Sequence, residues 1–403
     1  MEGWKTVRVS RTDMTLASNA ICKLSLLVDQ RALVPLLLGA ALLVASCAGD
    51  TSDTAETTAT APSPAEISTT TATADPATTT DPGPPVDSET TTTAGPIPAS
   101  ELEIVAYPVP AGSRPHDVAP AADGGVWYTA QGSGELGWLN TVTGETSHIA
   151  LGPGSRPHGV IVDDDGTPWI TDGGLNAIVA VDPDTNEVNV YPLPADRPNA
   201  NLNTAAFDAE GRLWFTGQHG IHAVLDPDTG AIDVFDSPRG RGPYGIASTP
   251  RGEIYFASLA GNYIGSVDSE GGVTVLEPPT PEQGARRIWS DSDGVLWVSE
   301  WTAGQLSRYE PSTGAWTTWP LPGSAPSAYA VYVDDTDIVW VTDFSGNAIH
   351  RFDPTTEMFF TFALPSSPGD VRQLLGRPGE VWGAESAADQ LVVIRRAELS
   401  DDQ

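Results

Sequence analysis

The chain has 403 residues, with 53 acidic and 20 basic side chains, and its formal net charge at pH 7 is −33. No lysine follows Lys23, and no basic run is present that would neutralise phosphates, which argues against nucleic-acid binding. Cys22 and Cys47 are the only cysteines. This excludes a disulfide-rich domain and a cysteine-based metal site.

The N-terminal segment has the features of an export signal. Arg31 precedes an apolar run over residues 32–44 that is shorter than a membrane span requires. The following VASC, which ends at Cys47, resembles the lipobox of bacterial lipoproteins. The resemblance implies that residues 1–46 are a signal peptide and that Cys47 is lipidated. The domain is then exported and anchored to the outer face of the cell membrane, and an uncleaved anchor, the alternative, would place it on the same side.

Residues 47–100 begin with the lipidated cysteine and continue as a tract rich in Thr, Pro and Ala. This composition cannot bury a core, so we expect a disordered linker that holds the next domain off the membrane. Residues 101–403 then form one domain of about 300 residues, a length that one large repeat domain can occupy. Nothing in the sequence requires an oligomer, and we expect a monomer.

The domain is built from a repeat. GSRPHDV at residues 112–118 returns as GSRPHGV at residues 154–160, 42 residues later, and the surrounding frame recurs seven times at spacings of 41 to 45 residues. Its aromatic anchors are Trp127, Trp169, Trp214, Tyr255, Trp297, Trp340 and Trp382. Each unit has four short β-rich runs bounded by turn residues, which is typical of a propeller blade. The sequence predicts an all-β, seven-bladed β-propeller of four-stranded blades.

The two ends of the repeat predict how the ring closes. The last unit ends after its third strand, DQLVVIRR, and lacks the YPLP-type strand of the other units. A strand of that type stands at the front of the domain, as EIVAYPVP over residues 103–110. We expect this N-terminal strand to complete the last blade and remove its open sheet edge.

The repeat also gathers one residue per blade near the propeller axis. The first two strands of each blade form a hairpin, so the start of the first strand and the end of the second lie on the same rim. The ring at the start reads His116, His158, Asn203, Tyr244, Arg286, Tyr329 and either Val371 or Arg372. The ring at the end reads Ala130, Asp172, Gly217, Ser258, Glu300, Asp343 and Glu385. His219 is a further candidate, because it follows the third anchor in a loop on this rim.

Two interpretations of the histidines remain open. RPH can be a turn at the start of a blade, in which the Arg and His side chains bond to nearby carbonyls. The other five units keep the strand pattern without a histidine at this position, which indicates that the blade does not require one. A residue that the blade does not require is free to form a ligand site in the axial funnel.

The units, of the type RPHGV…D-G-x-x-W-x-T-[DE]…N-x-I…YPLP, resemble the streptogramin lyase (virginiamycin B lyase) family over residues 101–396. The resemblance implies an axial site where a histidine general base and carboxylate-bound Mg²⁺ open the cyclic ester of a depsipeptide by β-elimination. Carried over, it makes His116 and His158 catalytic and assigns Asp172 to the metal. The other carboxylates of the second ring, Glu300, Asp343 and Glu385, are candidate metal ligands with it. The family's metal-binding glutamate precedes its catalytic histidine by two residues, and Arg114 and Arg156 stand at that position here.

Three functions therefore remain open. The first is a metal-assisted lyase that opens a cyclic depsipeptide. The second is a non-catalytic propeller that binds a small ligand or a partner protein in the same funnel. The third is a lactonase-like hydrolase. In each of them, the expected ligand-binding residues are Asn203, Tyr244, Arg286, Tyr329 and His219.

Overall fold

The fold is a seven-bladed β-propeller, as the repeat predicts. The computed structural model describes residues 95–397, in which seven separate four-stranded antiparallel sheets follow one another along the chain. The predicted signal peptide, Cys47 and the linker up to residue 94 lie outside the described residues. Within the described range, no helix is long and apolar enough to cross a membrane.

The N-terminal strand β1 and the strands of the first three blades follow a 3₁₀ turn at Ala99–Glu101. They are β1 Leu102–Pro108, β2 Pro115–Pro120, β3 Val126–Ala130, β4 Glu135–Leu139, β5 Thr146–Ala150, β6 Pro157–Val162, β7 Pro168–Asp172, β8 Ala177–Val181, β9 Val188–Pro192, β10 Leu202–Phe207, β11 Leu213–Gly217, β12 Ile221–Leu225 and β13 Ile232–Asp236. Blades 1, 2 and 3 are β2–β5, β6–β9 and β10–β13.

The remaining strands are β14 Pro243–Ser248, β15 Ile254–Ser258, β16 Tyr263–Val267, β17 Val273–Leu276, β18 Ala285–Ser290, β19 Leu296–Glu300, β20 Gln305–Glu310, β21 Ala315–Pro320, β22 Ala328–Val333, β23 Val339–Asp343, β24 Ala348–Asp353, β25 Met358–Ala363, β26 Val371–Arg377, β27 Glu380–Glu385 and β28 Gln390–Arg396. Blades 4, 5 and 6 are β14–β17, β18–β21 and β22–β25, and blade 7 has the order β26-β27-β28-β1.

The hairpin between the first two strands of a blade is held by an aspartate and the aromatic anchor. In blade 2, Asp163 Oδ1 accepts the backbone N–H groups of Asp165 and Thr167, while Oδ2 accepts the indole N–H of Trp169 at 2.8 Å. The same aspartate-to-indole bond joins Asp208 to Trp214, Asp291 to Trp297 and Asp334 to Trp340. Each tryptophan can therefore lie in the core, because its one polar atom has a partner.

The core is divided among the gaps between neighbouring blades. Trp169 of blade 2, for example, packs in one cluster with Leu213 and Phe215 of blade 3. Trp214, Trp297 and Trp382 are fully buried. The aromatic anchors are therefore packing residues that join each blade to its neighbours.

The N-terminal strand closes the ring, as predicted. β1 pairs with β28 in antiparallel register from Leu102 opposite Arg396 to Pro108 opposite Gln390. Its Tyr107 ring lies 5.5 Å from Trp382, centroid to centroid. The Asp389 carboxylate then accepts the backbone N–H groups of Gly112 at 2.8 Å and Arg114 at 2.7 Å, which ties the end of blade 7 to the entry of blade 1.

Deletion of residues 101–110 should lower the melting temperature by roughly 10 °C or more, because several partly buried side chains and the cover of β28 are lost together. A deletion of equal length within the linker, residues 48–57, is the control and should leave the melting temperature unchanged. Differential scanning calorimetry measures both. Equal melting temperatures for the two deletions would show that β1 does not close the ring.

Candidate functional site

A β-bulge in the innermost strand of every blade positions the axial ring. In blade 1, Pro115 pairs with Ala130 and the next paired residue is Val118, so that His116 and Asp117 lie in the bulge. The corresponding register shift occurs in all seven blades. A bulge redirects the side chain it contains. The bulge also shows which residue of blade 7 belongs to the first ring. Val371 pairs with Glu385, as Pro115 pairs with Ala130 in blade 1, so Arg372 takes the ring position.

Hydroxyl groups hold the bulges to the neighbouring blades. Thr171, two residues after its anchor, accepts the Gly159 N–H at 2.9 Å and donates to the Asn203 carbonyl of the next blade at 2.5 Å. Equivalent bonds run from Thr129 to the carbonyl of His158, from Thr216 to that of Tyr244 and from Ser299 to that of Tyr329. The threonine of the W-x-T motif therefore fixes where the next ring residue stands.

The two histidines of the ring are in direct contact. Their ring centroids are 3.9 Å apart. His116 Nδ1 lies 2.7 Å from Asp117 Oδ1, and His158 is held by Asn203, whose carbonyl lies 3.0 Å from Nδ1 and whose amide nitrogen lies 3.3 Å from Nε2. These partners place a proton on Nδ1 of both rings. Within residues 95–397, Nε2 of His116 has no hydrogen-bond partner.

A buried ion pair lies next to the histidines. Arg287 NH2 is 3.3 Å from Asp117 Oδ1, and both side chains are almost fully buried. Burial raises the pKa of Asp117, although Arg287 opposes the shift. Burial also lowers the pKa of His116 well below its ordinary value, and Arg287, Arg372 and Arg286 lower it further. The pKa of His158 is lowered in the same direction, first by burial and then by His116. Both histidines are therefore neutral at pH 7.

The other side of the ring combines an arginine with aromatic rings. The guanidinium carbon of Arg286 lies 3.5 Å from the ring centroid of Tyr329, 4.4 Å from that of Trp301 and 4.7 Å from that of Tyr244. Tyr244 and Tyr329 are buried and their hydroxyl groups are 2.6 Å apart. Trp301 and Phe344 are half-buried on the rim, with centroids 5.6 Å apart. Arg286, Tyr244, Tyr329, His158 and Asn203, predicted from the sequence, are thus brought together.

The four carboxylates predicted as metal ligands are not brought together. Asp172 accepts backbone N–H groups of Arg156, Gly174 and Leu175, and the hydroxyl of Ser155. The others are likewise bonded within their own blades: Glu300 to Gln305 and Ser307, Asp343 to Ser327 and Gly346, and Glu385 to Gln390. They hold the loops of the rim, and their metal-ligand role stays a prediction.

His219 lies apart from the histidine pair. Its side chain is exposed, and Nδ1 is bonded to the carbonyl of Asn199 in the loop before β10. A role in ligand binding stays a prediction for this residue.

The donors of the ring do not fit Mg²⁺. Among residues 95–397, the cluster of His and carboxylate groups close enough to hold one ion is His116, Asp117 and His158. Mg²⁺ prefers an octahedron of oxygen ligands, whereas this cluster offers one carboxylate, already bonded to Arg287. The guanidinium of Arg286 stands nearby as well and lowers the pKa of His116. A divalent cation here would meet several positive charges and too few oxygen atoms.

Below the ring the central channel is nearly closed. Asp117, Arg287 and Gln373 line a space of about 30 Å³, enough for one water molecule. The opposite mouth of the channel opens into a cavity of about 540 Å³ with mainly apolar walls, including Trp289, Tyr332 and Phe207. The channel therefore has two separate mouths, and only the ring side combines histidines, arginines and aromatic side chains.

Four residues of the site escaped the sequence analysis. Asp117 and Arg287 occupy the position directly after a ring residue, and Trp301 and Phe344 directly follow acidic residues of the second ring. Their places in the repeat were a usable signal. The repeat alone does not show which positions of a unit face the axis, however. Only the bulge shows that two consecutive residues can both reach it.

Lowering the pH from 7.5 to 5.5 should destabilise the protein through His116 and His158. Their pKa values are lowered in the folded state, so the unfolded chain binds more protons below its ordinary histidine pKa, and stability is lost as pH falls. The loss can reach about 1.4 kcal/mol per pH unit for each histidine. Urea unfolding of the wild type and of His116→Gln/His158→Gln measures it.

The double variant should have a flatter pH dependence, whereas the exposed His219→Gln should follow the wild type. Asp117 acts with the opposite sign at lower pH, because its folded-state pKa is raised. Identical pH profiles for all three proteins would contradict the prediction.

Comparison with known proteins supports the assignment of the fold and identifies the family. No curated protein matches the chain. A streptogramin B lyase structure has 22% identity and a TM-score of 0.68, over 74% of this chain and 99% of that one. A catalytically inactive virginiamycin B lyase from Staphylococcus aureus, crystallised with quinupristin, has 20% identity and a TM-score of 0.68, over 73% of this chain and 99% of that one. The extracellular domain of a hybrid two-component system from B. thetaiotaomicron has 16% identity and a TM-score of 0.59, over 75% of this chain and 44% of that one.

The model of the virginiamycin B lyase family matches residues 153–398, more than half of the chain. The match spans blades 2 to 6 and strands β26 to β28 of blade 7, and it includes Thr171, Thr216 and Ser299. The chain therefore belongs to the virginiamycin B lyase family.

Proposed function

We propose that this propeller binds a small molecule in the axial funnel, at the mouth formed by the starts of the innermost strands. The observation that carries the proposal is the half-buried pair Trp301 and Phe344, which packs against the buried Tyr329 at the axis. Half-exposed aromatic side chains beside polar ring residues are typical of a ligand pocket. The family relative crystallised with quinupristin supports a small organic molecule as the class of ligand.

Cleavage of a cyclic ester is the second candidate, and the His116–Asp117 contact favours it. Asp117 fixes the proton on Nδ1 of His116, which leaves Nε2 free to accept a proton. In a β-elimination, Nε2 would take the proton from the carbon next to a carbonyl. The electron pair left behind would form the carbon–carbon double bond, and the ester oxygen would leave as a carboxylate. The low pKa of His116 makes it a weak base, so we rank ligand binding without catalysis above cleavage of a cyclic ester.

Hydrolysis of the lactonase type ranks third. That reaction requires a metal-centred site, and the ring donors do not fit a hard divalent cation. In the elimination reaction, which needs no metal by this route, Arg286 would stabilise the negative charge that develops on the carbonyl oxygen.

A fragment library screened by ligand-observed NMR should yield ligands whose binding depends on the funnel. Trp301→Ala should weaken these ligands at least tenfold, because the variant removes one wall of the pocket. Trp316→Ala, in the outermost strand of blade 5, is the matched control and should leave binding unchanged. Equal effects of the two variants on the bound fragments would contradict the proposal.

The same protein incubated with quinupristin decides between the candidates. An unchanged mass together with fragment binding supports a binding propeller. A linear product that disappears in His116→Ala, and persists in His148→Ala in the outermost strand of blade 1, would establish the elimination reaction.

We also propose that the chain is exported and held at the membrane through Cys47. The VASC motif and the likeness to an extracellular domain support this location. Cys47→Ala should move the protein from the membrane pellet to the soluble fraction, because the acyl chains provide the attachment. Cys22→Ala is the control and should stay in the pellet. Retention of Cys47→Ala at the membrane would contradict lipidation.

A further inference from the structure

Arg286 is a cation without an acidic partner in a strongly acidic protein. Among residues 95–397, five arginines lie over aromatic rings: Arg212, Arg239, Arg286, Arg287 and Arg372. Four of them also form an ion pair, with Asp208, Glu277, Asp117 and Asp370. Arg286 has no carboxylate within 4.0 Å in the described part of the chain.

The surroundings of Arg286 limit how it can be neutralised. Tyr329 and Trp301 lie close to the guanidinium, and NH2 donates to the Tyr244 hydroxyl at 3.1 Å. Nε is buried and has no partner. A half-buried cation with an unpaired donor is costly unless a counter-charge approaches it. Because the guanidinium is covered by rings, a counter-charge would meet the remaining N–H donors at its edge.

The arginines around the ring act on its titratable groups. Burial alone would raise the pKa of Tyr244, but the guanidiniums of Arg286 and Arg287 lower it and prevail. The same two groups, with Arg372, lower the pKa of His116. Three arginines therefore act on His116, and Asp117 is the carboxylate in contact with this histidine.

A second cation lies on the same rim. Arg372 lies 5.3 Å from the centroid of Phe344, and Phe344 stacks on Tyr329 with centroids 5.3 Å apart. Arg286 and Arg372 therefore flank one aromatic wall. Asp370 neutralises Arg372 only in part, since both side chains are more than a fifth exposed and the contact is 3.3 Å.

We propose that the axial ring binds the anionic group of its ligand, a carboxylate or a phosphate, on Arg286. The fork of a guanidinium matches both groups in geometry and charge. Trp301 and Phe344 would contact the apolar body of the ligand. This inference rests on the proposed function and names the chemistry of the ligand. The axial ring binds an anion on Arg286 rather than a divalent metal ion.

Isothermal titration of the purified protein with benzoate, phenyl phosphate and inorganic phosphate tests the proposal. At least one of the three should bind saturably, and its affinity should fall as salt is added, because the contact is between charges. Arg286→Gln should weaken binding at least tenfold, and Arg286→Lys should restore part of it. Preference for benzoate or for the phosphates separates a carboxylate ligand from a phosphate ligand.

Arg212→Gln is the matched control. Arg212 also lies over an aromatic ring, 5.7 Å from the Trp214 centroid, but Asp208 neutralises it in the turn between β10 and β11, away from the axial ring. Anion binding should be unchanged in this variant. Without ligand, Arg286→Gln should melt no lower than the wild type, because an uncompensated charge has been removed. The anion should raise the melting temperatures of the wild type and of Arg212→Gln, but not that of Arg286→Gln.

Three results would overturn the proposal. The first is the absence of binding for all three anions, the second is equal weakening in Arg286→Gln and Arg212→Gln, and the third is saturable binding of Mg²⁺ that the anions do not affect. Funnel-dependent binding of neutral fragments, lost in Trp301→Ala and intact in Arg286→Gln, would refute the anionic ligand and leave the proposed function standing.

Discussion

A hydroxyl group between neighbouring blades is the contact on which both the fold and the site depend. Thr171 accepts a hydrogen bond from its own blade's bulge and donates one to the ring residue of the next blade. The register of one blade therefore sets the position of the next functional side chain. Since an unmade buried hydrogen bond costs about 1–3 kcal/mol, each such contact resists displacement of the ring. The bonds that hold the propeller together therefore also position the site.

The charge of the protein is arranged in two regions. Its 53 acidic residues give the chain a large negative charge, and many of those on the rim cap turns or pair with arginines. The histidine pair at the axis is instead surrounded by Arg286, Arg287 and Arg372, with Asp117 in contact with His116. A small anion approaching the funnel would leave a negative surface for a positive pocket, so recognition depends on short-range contact more than on long-range attraction.

The sequence predicted the fold well because each blade of a propeller corresponds to one sequence repeat. The spacing of the anchors gave seven blades, and the missing last strand gave the closure by β1. Periodicity also placed His116, His158, Tyr244 and Arg286 in one ring. It could not show that Asp172 already bonds to three backbone N–H groups, because those partners come from the turn geometry of two loops. Nor could it pair Asp117 with Arg287, which are 170 residues apart.

The closure by β1 has a mechanical consequence for an anchored protein. β1 is the outermost strand of blade 7 and runs antiparallel to β28, with seven consecutive residue pairs. If the chain is tethered through Cys47, tension in the tether reaches the propeller first at Ile97, whose carbonyl accepts a hydrogen bond from Arg351, and then at Leu102, where β1 begins. A pull along a strand loads its hydrogen bonds together in shear, whereas a pull across the strand would open them one after another. The strand that completes the ring is then also an element that carries the load between the anchor and the blades.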